Sequence, residues 1–294
     1  MKNLMVRNII LFLIISIIPA TAKAAFTDVE LGARPLSMGA SFVAVADDNN
    51  AIFWNPAGLE SARKKEFTAS YMELYDMVSY SALSYIRKFR EIPVGLGLVS
   101  SSDVEGVYRE IGLYFSLARN IRDKLDIGTS LKYLSSTAYT ANMKLGNSRG
   151  LSLDAGIQYH NWRNILSFGL NFHNILGQVS YNRKSVKEIP GESYWQRPDF
   201  SYRIGLAVNP FKMPSYAKYT LVSAEICDGD FHLGLERSFW NILSLRAGLR
   251  TGNALNCALT AGFGLRMNAL RFDYAYVGSK YGTETSQFSV SIRL

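Results

Sequence analysis

From Phe67 to Leu294 the chain keeps a two-residue rhythm, and that rhythm leaves few folds open to it. In residues 151–159, Leu151, Leu153, Ala155, Ile157 and Tyr159 alternate with Ser152, Asp154, Gly156 and Gln158. Alternation of this kind puts the two sets on opposite faces of a β-strand. Later, Leu243, Leu245, Ala247 and Leu249 alternate with Ser244, Arg246, Gly248 and Arg250. An arginine facing lipid costs about 2–4 kcal/mol at the bilayer midplane, so these must face a wet or paired interior. A polar inside and an apolar outside predict an all-β fold, a transmembrane antiparallel β-barrel.

The rhythm predicts fourteen strands: 66–76, 78–87, 92–100, 107–118, 124–135, 149–160, 164–174, 200–209, 218–227, 231–238, 242–251, 255–266, 269–277 and 285–294. Each is close to the 9–11 residues a tilted membrane strand needs. Predicted connections after the second, fourth, sixth, tenth and twelfth strands are short, whereas 136–148 and 175–199 read as long loops. Short turns on one side and longer loops on the other fit periplasmic and extracellular ends, and an even strand number puts both chain ends in the periplasm. The second long loop carries Val179, Tyr181, Ile189, Tyr194 and Trp195, suited to apolar capture or to packing at the membrane interface. The connection 210–217 is longer than a periplasmic turn requires.

The first residues read as an export signal. Lys2 and Arg7 precede an apolar run from Ile9 to Ile18, which Pro19 breaks, and Ala22-Lys23-Ala24 offers small residues for cleavage. A run of ten residues is too short to cross a bilayer as a helix, which needs about 18 or more. The expected division is 1–24 signal peptide, 25–64 N-terminal hatch and 65–294 barrel, located after cleavage near Ala24 in the outer membrane. Without Lys2, Arg7 and Lys23 the chain has 29 basic and 24 acidic residues. No basic cluster with interleaved aromatics points to nucleic acid. Arg87-Lys88-Phe89-Arg90 and the basic residues of 119–124 read as solvated turns. Cys227 and Cys257 fall three strands apart, roughly 14 Å at 4.8 Å per strand, which disfavours a bridge.

Nothing in the chain proposes catalysis. His160, His173 and His232 lie on three strands without metal-ligand spacing, and there is no nucleophile elbow or phosphate loop. No cofactor is expected. Asp154, Arg203, Glu225, Glu236, Arg246, Arg250 and Asp273 take inward positions and read as lumenal ion pairs. The Gly-x-Gly pairs on strands, such as Gly95/Gly97 and Gly262/Gly264, mark bends or places where another backbone comes close.

Residues 26–64 lack the alternation. Asp47-Asp48-Asn49-Asn50 is a turn or cap cluster, and Asn55-Pro56 favours a turn followed by the small residues Ala57 and Gly58. Gly32, Arg34, Met38 and Gly39, then Ala44 to Asp48, then Trp54 ahead of Asn55-Pro-Ala-Gly-Leu59, together resemble the N-terminal signature of the FadL-like outer-membrane proteins. The resemblance is greatest to their PorV/PorQ branch. It implies a hatch plugging the lumen, in which Asp47, Asp48, Asn55, Pro56, Ala57 and Gly58 serve folding or gating. Asp47 and Asp48 are placed to pair with inward arginines such as Arg203, Arg246 or Arg250. The last strand, with Phe288, Val290, Ile292 and Leu294 alternating to the terminus, resembles the signal read by outer-membrane assembly machinery, although such signals usually end in an aromatic.

Two functions follow from the resemblance. One is a channel or porter for hydrophobic small molecules. The other is a non-enzymatic accessory or shuttle barrel of a type IX-like secretion system, with secreted cargo as partner. Outer-membrane lipids and the assembly machinery are partners in either case. A soluble exported β-protein is a third reading, which partitioning with the membrane fraction would distinguish.

Overall fold

The computed structural model describes residues 29–62, 65–140, 143–160, 165–185, 190–209, 220–252, 256–278 and 284–294. The expected signal peptide, the connection 210–217 and Ile189 lie outside the described residues. The strands are β1 (Glu66–Leu74), β2 (Val78–Phe89), β3 (Ile92–Asp103), β4 (Tyr108–Arg122), β5 (Leu125–Thr140), β6 (Met143–His160), β7 (Leu166–Arg183), β8 (Glu192–Gln196), β9 (Ser201–Val208), β10 (Thr220–Cys227), β11 (Asp230–Phe239), β12 (Leu243–Gly252), β13 (Asn256–Met267), β14 (Leu270–Val277) and β15 (Thr285–Arg293).

Each of the fourteen predicted strands has its counterpart, paired antiparallel with its neighbours, and β15 closes the barrel on β1 from Glu66↔Arg293 to Leu74↔Thr285. Closure leaves no open edge in the ring of fourteen, which is what lets a sheet stand in hydrocarbon. The amide of Leu294 then donates to the carbonyl of Lys65, so the two ends of the wall meet at one rim, called here the terminal rim.

The two expected long loops are the main departure. Residues 136–148 are mostly strand: β5 runs to Thr140 and β6 begins at Met143, paired through Thr140↔Met143. Likewise β7 continues to Arg183, and β8 pairs with its far half. Residues 136–148 carry Ser, Thr and Asn on both faces, which left little alternation to read, and in β7 the bulge opposite Leu153 and Ala155 breaks the rhythm before Leu176. β8 and β9 run in the same direction along β7, with Gln196 opposite Val179 and Ser201 opposite His173. Residues 197–200 interrupt them, and Pro198, with no N–H, cannot carry the ladder across. The wall is therefore tall along β4–β8 and low along β9–β15.

The barrel is inside-out relative to a soluble protein. Ser152, Asp154, Gly156 and Gln158 are buried, while Leu151, Ile157 and Tyr159 are exposed. The same holds around the ring: Leu96, Leu113, Leu131, Phe168, Leu245 and Phe288 all stand outward. Cys227 and Cys257, on β10 and β13, are both free.

The apolar core lies in the lumen, built by residues 29–62. Helix α1 (Ala33–Ser37) starts after Gly32, and Pro35 sits in its first turn, where no N–H is needed. Helix α2 (Ala51–Trp54) stops after one turn because Asn55 precedes Pro56 and is forced into extended backbone, φ −159° and ψ 103°. Pro56 then opens a 3₁₀ turn, Pro56–Glu60. Met38, Phe42, Ile52, Trp54 and Leu59 cluster with strand residues such as Ile86. The Phe42 and Trp54 rings meet edge-on at 6.0 Å, and Trp54 Nε1 donates to the Leu31 carbonyl at 2.7 Å.

Candidate functional site: a plug fastened in the lumen

Thirty-odd residues with only three short turns of helix cannot satisfy their own backbone, and buried N–H and C=O groups must find partners. The wall supplies them. The carboxylate of Glu225 on β10 accepts from the amides of Phe42 and Val43 at 2.7 and 2.8 Å. Thr260 on β13 accepts from the Gly39 amide and donates to the Ser37 carbonyl, at 2.9 and 3.1 Å. Gln158 on β6 donates to the carbonyls of Ala44 and Val45. Ser223 donates to the Ser41 carbonyl, and Ser289 accepts from the Ala33 amide. These inward polar residues of four strands thus act as a template for the plug's backbone.

Inward glycines mark the same footprint. A Cβ on Gly248 of β12 would fall on the Gly39 backbone, one on Gly169 of β7 on the Val43 carbonyl, and one on Gly128 of β5 on the Pro56–Ala57 peptide. Gly39 itself has φ +65°, a conformation L side chains rarely adopt, and its missing side chain admits the backbone of Leu233 and Leu249. Several of the strand glycines therefore record a close backbone approach.

Charge holds the plug as well. Arg34 on α1 bonds Glu236 of β11 through two contacts, 2.8 and 2.9 Å. Glu236 takes Arg246 of β12 at 2.6 Å, and Arg246 takes Asp273 of β14 at 2.8 Å. Asp273 takes Arg271 at 2.9 Å, Arg271 takes Asp48 at 3.1 Å, and Asp48 returns to Arg34 at 2.9 Å. Three guanidiniums and three carboxylates thus alternate in a closed ring, with two members on the plug and four on the wall. Asp47, half-exposed, adds a third carboxylate to Arg34. Burial pushes the Asp48 carboxyl up, but Arg271 and Arg34 more than offset this and hold it at about 2.

A second fastening lies nearer the opposite rim. Glu30 bridges Arg203 on β9 and Arg250 on β12, and Arg203 also bonds Glu225 at 2.8 Å while stacking over the Trp54 ring, 4.5 Å from its centre. The partners therefore differ from those expected: Asp47 and Asp48 meet Arg34 and Arg271, whereas Arg203 and Arg250 serve Glu30 and Arg246 serves Glu236 and Asp273. The sequence reading passed over Glu30 and Arg271. Arg271 stands two residues before Asp273, on the same face, which was the available signal.

The remaining expected residues fall as follows. Asn55 donates to the carbonyls of Val43 and Ile157 and accepts from the Ala57 amide, so Asn55 to Gly58 forms the plug's foot against β5 and β6. Gly58 lies against the Ala46 backbone. Asp154 belongs to the wall: it bonds Lys132 at 2.8 Å, His173 at 3.2 Å and the Asn174 amide at 2.8 Å, where β7 bulges. His160 touches Ser61 and Ser167, and His232 faces the Ala40 carbonyl. Phe288, Val290, Ile292 and Leu294 line the outer face of the closing strand, Phe288 and Leu294 well exposed.

The two sides of the plug differ in character. Toward the opposite rim, Leu31, Ala33 and Leu36 pack with Met72, Ala82, Ala275 and Val277. Toward the terminal rim lies a charged cavity of about 350 Å³, lined by Arg34, Asp48, Glu66, Arg246, Arg266 and Arg271 among others.

No protein-family model and no curated protein matches the sequence. Solved structures do match. The CymD monoaromatic hydrocarbon channel aligns with TM-score 0.65 and 15% identity over 92% of this chain and 98% of that one. The Ralstonia pickettii toluene transporter TbuX aligns at 0.62 and 14% over 90% and 97%. A Pseudomonas aeruginosa FadL homologue aligns at 0.59 and 11% over 85% and 95%. At such low identity the likeness speaks for architecture, and this chain has the barrel fold that these channels share.

Proposed function

We propose that the protein is an outer-membrane porter for hydrophobic small molecules, in which residues 29–62 form a hatch that must shift for passage. The observation that carries the reading is the plug itself, fastened by a ring of ion pairs and by inward polar side chains that fit its backbone, and seated in a barrel whose structural neighbours include monoaromatic hydrocarbon channels and a toluene transporter. A neutral ring of alternating charges suits a latch: each buried charge is matched while closed, and breaking one contact leaves the next exposed to water entering the cavity. The ladder between β2 and β3 runs unbroken from Val78↔Asp103 to Phe89↔Ile92, so the closed state shows no gap between those strands. The N-terminal resemblance also supports the accessory-barrel reading, in which the same hatch would respond to a protein.

Reconstituted barrels test the choice. Proteoliposomes containing the protein should take up labelled toluene or a long-chain fatty acid faster than empty liposomes, and uptake should saturate. Uptake equal to the control, with a stoichiometric protein co-purifying from the native membrane, would overturn the porter reading for the accessory one.

A further inference from the structure

The lipid-facing wall carries a groove of about 490 Å³ across β1–β6, bordered by Leu83, Leu96, Leu98, Leu113, Phe115 and Leu131, with Ser84 and Gly97 at its floor. These leucines and Phe115 all stand outward and exposed. At the terminal rim the same strands end in a cluster of cations. Arg87 lies near the end of β2 and Arg90 follows it, Arg119 and Arg122 close β4, and Lys124 precedes β5; all five are exposed. None of them has an ion-pair partner among the described residues, in contrast to Lys88, which meets Glu60 and Glu91.

Parity joins the two features. Arg87 shares its face with Leu83 and Tyr85, and Arg119 shares its face with Leu113 and Phe115. Register places them on either side of β3, since Arg87 opposes Val94 and Val94 opposes Leu117. Leu83 and Phe115 each lie four residues from their arginine, and Leu113 six, or about 13–20 Å along the strand at 3.3 Å per residue. A strand tilt of 35–45° shortens this to about 10–15 Å of depth, which is one leaflet's share of a 30 Å hydrocarbon core. Phe89 and Ile121, exposed between the cations, sit at the level of an interfacial anchor.

We propose that this wall is a binding site for an anionic glycerophospholipid, its phosphate held by Arg87 and Arg119 and an acyl chain lying in the Leu83–Leu131 groove. Charge fixes the choice of occupant: a greasy groove alone would accept any chain, but an unpaired arginine pair at headgroup depth selects phosphate bearing net negative charge. The inference rests on the membrane-spanning fold and holds whether or not the barrel transports anything.

Native mass spectrometry of the barrel in nanodiscs tests it, using phosphatidylglycerol and phosphatidylcholine with identical acyl chains. The wild-type protein should retain one phosphatidylglycerol with at least a tenfold preference. Arg87→Gln with Arg119→Gln should lower that retention about fivefold per arginine removed. Leu113→Trp, which fills the groove and leaves the charges, should also lower it, while Lys144→Gln at the opposite rim should not. Heat-modified electrophoretic mobility confirms that each variant is folded. Equal retention of the two lipids by the wild type, retention unchanged in both site variants, or preferential occupancy by free fatty acid or a second barrel would overturn the proposal.

Discussion

Two wall residues test the plug's fastening, Glu236 through charge and Gly248 through packing. Glu236 holds two guanidiniums, Arg34 of the plug and Arg246 of the wall. Replacing it by glutamine leaves both short of a counter-charge, and breaking a buried pair from one side costs about 3–5 kcal/mol. Glu236→Gln should therefore speed hydrogen exchange in residues 31–62 while leaving the barrel strands protected; unchanged exchange would show that the ring does not hold the plug. Gly248→Ala tests packing in place of charge. Its Cβ falls on the Gly39 backbone, and overpacking of this kind costs about 1–3 kcal/mol, read as a lower urea midpoint or a released plug. The Asp48 carboxyl fixes the acid limit. Its value is lowered on folding, so it contributes stability above the ordinary 3.8 that is lost as pH falls through about 2. Plug exchange should stay slow at pH 4 and rise as pH approaches 2, and release already at pH 5 would contradict this assignment.

At the scale of elements, the strands were legible and their partners were not. A period of two survives any register, so Leu151 to Tyr159 declared both a strand and its lipid face. Asp48 meeting Arg271 instead of Arg203 or Arg246 depends on strand tilt and on where the plug's turn falls, neither of which one sequence states. The extensions of β5 and β6 escaped because polar residues occupy both faces there, and that of β7 because a bulge breaks its rhythm. The interruption at residues 197–200 shows in the sequence only as Pro198, and its place between two runs along β7 depends on the pairing. The Asn55-Pro56 step was legible as a turn, though not as the end of α2 or as a foot against β5 and β6. Asn55→Ala removes two donated bonds and one accepted, at about 1 kcal/mol each, and should loosen the foot with little change in barrel stability.

The molecule as a whole is a closed wall around a fitted interior, and in the described state the plug stands in the way. Both the wall glycines and the charge ring are complementary to this one position of the plug, so transport through the lumen requires a second one. The direct measurement is uptake by a barrel whose plug is locked. Cys227 and Cys257 are first replaced by serine, and Ala33→Cys with Ser289→Cys is then introduced where the Ala33 amide meets the Ser289 hydroxyl at 3.1 Å. Labelled toluene uptake into proteoliposomes should fall to the empty-liposome rate when this pair is oxidised and return on reduction. Uptake that is undiminished with the disulfide formed would contradict a moving hatch.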